Sequence, residues 1–326
     1  MTGSDLIPPI SAAGLRRLRL QLRKSVPTLG LGPHLRRRQG QSLEFREFRA
    51  YQPGDDIRAV DWTASARRPP RDGLPDLMVR SFEAEEQLTL AIVVDARAAM
   101  RLPERSPKLL YALWAMQALT AVASEAGDRV LLAAAFDPSA AAPLRASGRE
   151  APARARSLAE RLWAQRPDPA VLPNAGVGRL VRMLKPASAV VLISDMLFDD
   201  PGGEMDQMAW EAQKARRELL VMELDSFEAE ADLVPRDMPL RLAEAEARTF
   251  GAEPVNLGEA LIRETEERVR RFLDERRRRW ARGGLVWKRA VRWPAGNRGG
   301  PDLAALFAED FPRHPVLRGV LATDLG

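Results

Sequence analysis

Two apolar runs in this chain end on a carboxylate: Ile92-Val93-Val94-Asp95 and Leu192-Ile193-Ser194-Asp195. An aspartate at the carboxyl end of a buried strand lies where open α/β sheets bind ligands, in the crevice at which strand order reverses. Two such carboxylates brought together could hold a hard cation through oxygen. The plainer alternative is that each is the first polar residue after its strand, or a cap for the next turn. Other chemistry is sparse. The only histidines, His34 and His314, stand beside prolines and read as surface loop imidazoles, so a serine-histidine-carboxylate relay would have to borrow one of them. The absence of cysteine excludes disulfides, a thiol nucleophile and cysteine-bound zinc, and it fits a reducing compartment. A cytoplasmic location is the expectation. No Gly-x-x-x-x-Gly-Lys-Ser/Thr loop occurs, and Gly176-Val177-Gly178 is too small a fragment of a dinucleotide fingerprint to count. A metal-dependent hydrolase built on Asp95, Asp195 and Asp199 would have no general base beyond the carboxylates themselves.

The elements that must position Asp95 and Asp195 show in the hydrophobic pattern. Leu88 to Asp95 reads as a buried strand, Ser106 to Ala126 as a long helix with Leu109, Leu113, Met116 and Leu119 at helical spacing, and Arg129 to Phe136 as a second strand. Helices are expected at Ala153 to Gln165 and Gly176 to Leu184, then a strand at Ala189 to Asp195, a helix at Gly203 to Arg217 and a strand at Leu219 to Leu224. Such alternation predicts an α/β fold with a mainly parallel sheet covered on both faces, because parallel neighbours need a crossover.

Around this core, 88–225, the expected organisation is an N-terminal amphipathic arm, 1–30, and a polar, aromatic segment of short strands and turns packed on the core, 31–87. A C-terminal region, 226–326, completes the domain with a hairpin at Pro239 to Asn256, a charged helix at Gly258 to Arg282, an edge strand at Leu285 to Trp293 and a short helix at Asp302 to Phe307. No apolar run approaches the ~18 residues that cross a bilayer, and the basic N-terminus lacks the pattern of a secretory signal. Fifty Lys and Arg against 45 Asp and Glu leave a net charge of +5, mostly interleaved. The clusters Arg16 to Arg38 and Arg276 to Arg279 read either as solvated surfaces or as contacts for phosphates or anionic lipid heads, and a nucleic-acid or anionic-surface binder is the alternative function they suggest.

The segment from Gly40 to Arg67 contains Tyr51-Gln52-Pro53-Gly54-Asp55-Asp56, then Arg58 and Asp61-Trp62, followed downstream by Phe82-Glu83-Ala84-Glu85-Glu86. Pro53-Gly54-Asp55 is a tight turn, and Arg58, Asp61 and Trp62 could lock the segment onto the sheet through an ion pair and a buried indole; alternatively, exposed Tyr51, Arg58 and Trp62 are residue types that dominate docking surfaces. This string resembles the signature of the family called domain of unknown function 58, over roughly Gly32 to Phe311. The resemblance implies a von Willebrand factor A-like doubly wound core in a bacterial protein that acts with a MoxR-type AAA+ ATPase on an unidentified client, as a noncatalytic adaptor or scaffold in chaperone-like assembly. It further implies that the first and fourth core strands lie side by side, bringing Asp95 to Asp195.

Folds of this kind often carry a metal-ion-dependent adhesion site, in which Asp-x-Ser-x-Ser, a Thr from a helix-connecting loop and a later Asp surround a divalent cation such as magnesium. Here Arg97 and Ala99 replace the two serines, and the loop Leu172 to Gly176 offers Asn174 and no threonine. No cofactor is therefore expected. The site is expected to be degenerate, with the Arg97 guanidinium in the cation's place pairing with Asp95, Asp195 or both. In the rival arrangement Arg97 points into solvent and a cation binds.

Overall fold

A computed structural model describes residues 3–20, 43–51, 57, 60–67, 77–84, 89–139, 141–165, 175–185, 188–214, 217–233, 258–282, 284–294 and 301–319. The chain divides into two compact units, one of residues 1–23 with 88–326 and one of residues 24–87. In the first, α1 (Ala12–Arg16) leads into β1 (Leu18–Leu20). The smaller unit holds β2 (Leu43–Ala50), α2 (Trp62–Ala66) and β3 (Met78–Ala84). The larger unit resumes with β4 (Thr89–Asp95), α3 (Lys108–Glu125), β5 (Arg129–Ala135), β6 (Leu144–Ser147), α4 (Ala151–Ala164), α5 (Ala175–Met183) and β7 (Ser188–Ser194). It ends with α6 (Glu204–Glu211), β8 (Glu218–Asp225), α7 (Phe227–Leu233), α8 (Glu259–Trp280), β9 (Leu285–Val286), β10 (Ala290–Arg292), α9 (Leu303–Asp310) and β11 (Leu317–Gly319).

The main sheet runs β10-β8-β7-β4-β5-β6, with β9 also on β8. Every pairing is parallel except β5 with β6. The chain starts this sheet in its middle at β4, builds outward through β5 and β6, then returns to the other flank of β4 with β7. That reversal makes a doubly wound sheet, and it sets the first and fourth core strands side by side. All of β4 is buried. Leu90, Ile92 and Val94 enter one hydrophobic cluster with α3 and α4; Ala91 and Val93 enter the other with Val177 of α5, Met205 and Met208 of α6 and Trp280 of α8. This is the two-residue period of a strand covered on both faces.

Helix α3 is apolar on all sides because it is enclosed on all sides, the pattern of a central helix. Its Tyr111 ring meets Trp293 at 5.6 Å and Phe307 at 4.9 Å, tying the C-terminal region to the core.

Several expectations are corrected. Within the N-terminal arm, the described residues form the short helix α1 and then, from Leu18, a strand paired with β11. Strand β6 lies in a stretch whose alanine, arginine and proline content reads as loop, and its backbone is satisfied by edge pairing to β5. The single edge strand Leu285 to Trp293 is two short strands, both parallel to β8. The hairpin at Pro239 to Asn256 lies outside the described residues.

In the smaller unit β2 and β3 pair antiparallel, with a register irregularity between Phe45 and Glu47. Asp61 caps α2, its Oδ1 accepting from Ala64 N at 2.9 Å. Ser65 Oγ donates to the Asp61 carbonyl at 2.7 Å and accepts from Met78 N at 2.8 Å, so one hydroxyl fastens the helix to β3.

Candidate functional site

Parallel register sets the site. Val94 of β4 stands opposite Ile193 of β7, so Asp95 and Ser194 are the next rung on one face and Asp195 follows immediately. Ser194 Oγ donates to Asp95 Oδ2 at 2.7 Å. Two residues beyond Asp95 the chain folds back. The Arg97 backbone N–H donates to Asp95 Oδ1 at 3.1 Å, and its guanidinium reaches Asp95 through Nε at 3.1 Å to both oxygens and through Nη2 at 2.8 Å to Oδ2. Nη2 also donates to Asp195 Oδ1 at 2.5 Å, while Nη1 donates to the Leu197 carbonyl at 3.0 Å. One guanidinium therefore bridges both strand-end carboxylates.

A second cation completes the arrangement. Lys108, the first residue of α3, donates through Nζ to Asp195 Oδ2 and to Glu230 Oε1 of α7, each at 3.0 Å. Asp195 Oδ1 also accepts from Leu197 N at 3.0 Å, and Ser226 Oγ donates to Glu230 Oε1. Asp95 is 0% exposed, and Arg97, Lys108 and Asp195 are buried beside it, so these charges must be balanced by one another rather than by water. The balance shows in their protonation. Burial alone would push the Asp195 carboxyl up, but the charges of Lys108 and Arg97 outweigh it and hold it at about 2. Burial alone would lower Lys108; Asp195 and Glu230 reverse this and raise it above its ordinary value.

These residues do not fit a divalent cation. A cation needs free carboxylate and hydroxyl oxygens, whereas Asp95 accepts from the Arg97 fork, Asp195 from Arg97 and Lys108, and the Ser194 hydroxyl oxygen accepts from Met196 N at 2.8 Å. Among the described residues no cluster of three or more His, Asp or Glu side chains forms a metal-binding group.

Above the carboxylates lies an aromatic and guanidinium layer. Arg97 stands 5.4 Å from the Phe136 ring and 5.6 Å from that of Phe198. Arg276 of α8 covers Phe198 at 4.0 Å and Phe272 at 4.5 Å, and it donates to the carbonyls of Met196 at 2.5 Å and Phe198 at 2.7 Å. Burial, with Arg279 and Arg97 adding repulsion against the pull of Asp206 and Asp200, pushes Arg276 down to about 10. Phe136 and Met196, just past β5 and β7, adopt left-handed φ values of 57° and 63°. Such a conformation costs a side-chain-bearing residue roughly 1–2 kcal/mol, and at Met196 the Arg276 bond helps hold it. Leu197 and Phe272 are each 37% exposed, an apolar pair attached to this same layer.

The other sequence candidates separate. Asp61 is buried and caps α2, whereas the neighbouring Trp62 is 62% exposed and Ile57 60% exposed. Trp62 is thus not a buried indole. Tyr51 is half-buried, its N–H donating to the Leu77 carbonyl at 2.7 Å. Gly54, Asp55 and Arg58 lie outside the described residues, as do His34, Asn174 and most of the Arg16 to Arg38 cluster. His314 is buried rather than a surface imidazole: Nδ1 accepts from Val316 N and Nε2 faces the Arg289 carbonyl, both at 3.3 Å. Asp199 is exposed and outside the charge cluster. Of Arg276 to Arg279, Arg276 turns inward, Arg277 pairs with Glu223 and Asp274, and Arg279 reaches Asp206.

Sequence reasoning passed over Lys108 and Glu230, and it placed Ser194 only within its strand and Arg276 only within a basic cluster. Lys108 carried a signal: it is the only charge in α3 before Glu125, and an ammonium at the start of a buried helix opposes the helix dipole unless an acid meets it.

Together these features define a doubly wound α/β protein whose strand-reversal point is closed by its own cations. The chain belongs to the family described as protein of unknown function DUF58, whose model matches residues 47–271. Uncharacterized proteins of Mycobacterium bovis and of Mycobacterium tuberculosis (strains CDC 1551 and H37Rv) are each 35% identical to it over 100 residues, 31% of this chain. The match spans 30% of those relatives' own length. A solved structure, the conserved hypothetical protein BatB from Bacteroides thetaiotaomicron, aligns with 69% of this chain and 98% of its own at 14% identity and a TM-score of 0.31.

Proposed function

We propose that this protein is a noncatalytic adaptor that recognises a partner protein through the carboxyl-end face of its sheet and works with a MoxR-type AAA+ ATPase. The carrying observation is the filled reversal point: Arg97 and Lys108 satisfy Asp95 and Asp195 internally, which leaves neither carboxylate free to act on a substrate and favours a surface presented by the surrounding loops. Leu197 and Phe272 supply exposed apolar contacts beside it, and in the smaller unit Trp62 is a residue type that anchors interfaces. The ATPase enters through the family resemblance.

A pull-down of the full chain, with and without ATP, identified by mass spectrometry, tests this reading. Recovery of an AAA+ ATPase, reduced by Trp62→Ala or by Leu197→Asp, is the expected result. Repeated recovery of nucleic acid without an ATPase would replace the adaptor with the anionic-surface binder. The internal pairing of Arg276 and Arg279 speaks against that alternative, since guanidinium groups held by protein acceptors are less available to the phosphates of a nucleic acid.

A further inference from the structure

On the far flank of the same sheet, a cleft of about 390 Å³ opens between β8, β10 and the ends of α8 and α9. Its volume falls within the ~300–1,000 Å³ typical of small-ligand sites. Its lining is almost wholly charged: Arg277, Lys288, Arg289 and Arg292 converge on it with Glu223 and Asp310, and Ala290 is the one apolar residue. The two carboxylates are already engaged. Glu223 accepts from Trp287 Nε1 at 2.5 Å and from Arg277 at 3.3 Å, and Asp310 accepts from Arg289 at 2.6 Å.

The cations are less completely used. Lys288 is exposed and makes no ion pair among the described residues. Arg292, 74% exposed, comes only to within 3.5 Å of Asp225, through Nε. Arg277 pairs with Asp274 at 3.0 Å as well as with Glu223 and lies 4.7 Å from the Trp287 ring, yet its buried Nε has no hydrogen-bond partner. That leaves a paired guanidinium, an exposed guanidinium and an ammonium outside any ion pair among the described residues around one opening. A planar fork and a point charge together suit an oxyanion with several acceptor oxygens.

We infer that this cleft binds a small, multiply charged phosphate-class anion, held mainly by Lys288 and Arg292 and oriented by Arg277. The site is independent of the adaptor reading, since it shares no residue with the Asp95 cluster.

The test is calorimetry of the full chain at low salt with pyrophosphate, inorganic phosphate and citrate as probes. Saturable pyrophosphate binding is expected, tighter than phosphate or citrate. The Lys288→Glu/Arg292→Glu double variant, whose side chains are exposed, should weaken it at least about tenfold, the loss expected for two charge-assisted contacts. The remote control Arg156→Glu on α4 should leave it unchanged. Absence of binding, equal loss in the control, or citrate matching pyrophosphate would each overturn the assignment. Unchanged melting temperatures of both variants separate lost binding from lost folding.

Discussion

At the scale of single residues, the dominant fact is that Arg97 touches both strand-end carboxylates at once. Its removal leaves Asp95 and Asp195 buried with Lys108 as the remaining neutralising cation. Arg97→Ala is expected to cost about 3–5 kcal/mol by chemical denaturation, and Arg97→Lys to restore little of it, because an ammonium cannot form the fork. His314 provides a second measurement. Burial lowers its pKa from 6.5 to about 4, helped by the Arg289 charge and opposed by the hydrogen bond to the Arg289 carbonyl. Between those values the unfolded chain binds a proton that the folded one refuses, so stability is full above pH 6.5 and falls as pH drops toward 4. The loss should approach roughly 3 kcal/mol, and His314→Asn should flatten that part of the stability profile. Asp195 acts at lower pH. Its depressed value means that its contribution is present above the ordinary carboxylate range and disappears as pH falls toward 2.

At the scale of elements, the family signature divides into a fastening and a free face. Asp61→Ala removes the α2 cap and should lower the stability of the smaller unit by about 1 kcal/mol, whereas Trp62→Ala should stay within about 0.5 kcal/mol while weakening partner capture. Thermal denaturation beside pull-down yield distinguishes the two. The same scale explains what could be read in the residues and what could not. Strands β4, β5, β7 and β8 are legible because a strand buried on both faces must be an unbroken apolar run. Asp95, Arg97 and Asp195 could be brought together because each sits at or just past a strand end, and the family resemblance supplied the strand order. Strand β6 was not legible, since its four residues gain their place from an edge ladder and not from apolar content. Lys108 was not singled out, and Arg276 was read only as part of a basic cluster, because their partners lie 87 and 80 residues away, and a basic residue shows no sign in the sequence of which acid or carbonyl it will meet.

At the scale of the whole molecule, several arginines act as internal clamps. Arg101 donates to the carbonyls of Leu162, Trp163 and Gln165 at the end of α4; Arg217 gathers those of Leu184, Lys185 and Glu211; Arg276 holds those of Met196 and Phe198. Each satisfies acceptors that helix and strand ends leave open. Guanidinium donors spent on protein carbonyls are withheld from phosphates. Duplex DNA should bind no more tightly than micromolar at physiological salt, as fluorescence anisotropy would measure. The same architecture predicts graded hydrogen exchange. Amides of β4, β7 and α3 should exchange only through global unfolding, while those of β6 and β10, at the sheet edges, open earlier.

The bridge from Arg97 to Asp195 spans 98 residues of sequence, whereas its bond to Asp95 spans two. Closing so long a loop costs about 4 kcal/mol of chain entropy before any contact repays it. A nascent chain can pair Asp95 with Arg97 as soon as both leave the ribosome. The second half must wait until β5, the helices and β7 have been made and laid down in order. The face around Leu197 therefore comes into being late, and a partner that grips it would in effect count only chains whose synthesis and folding have passed β7.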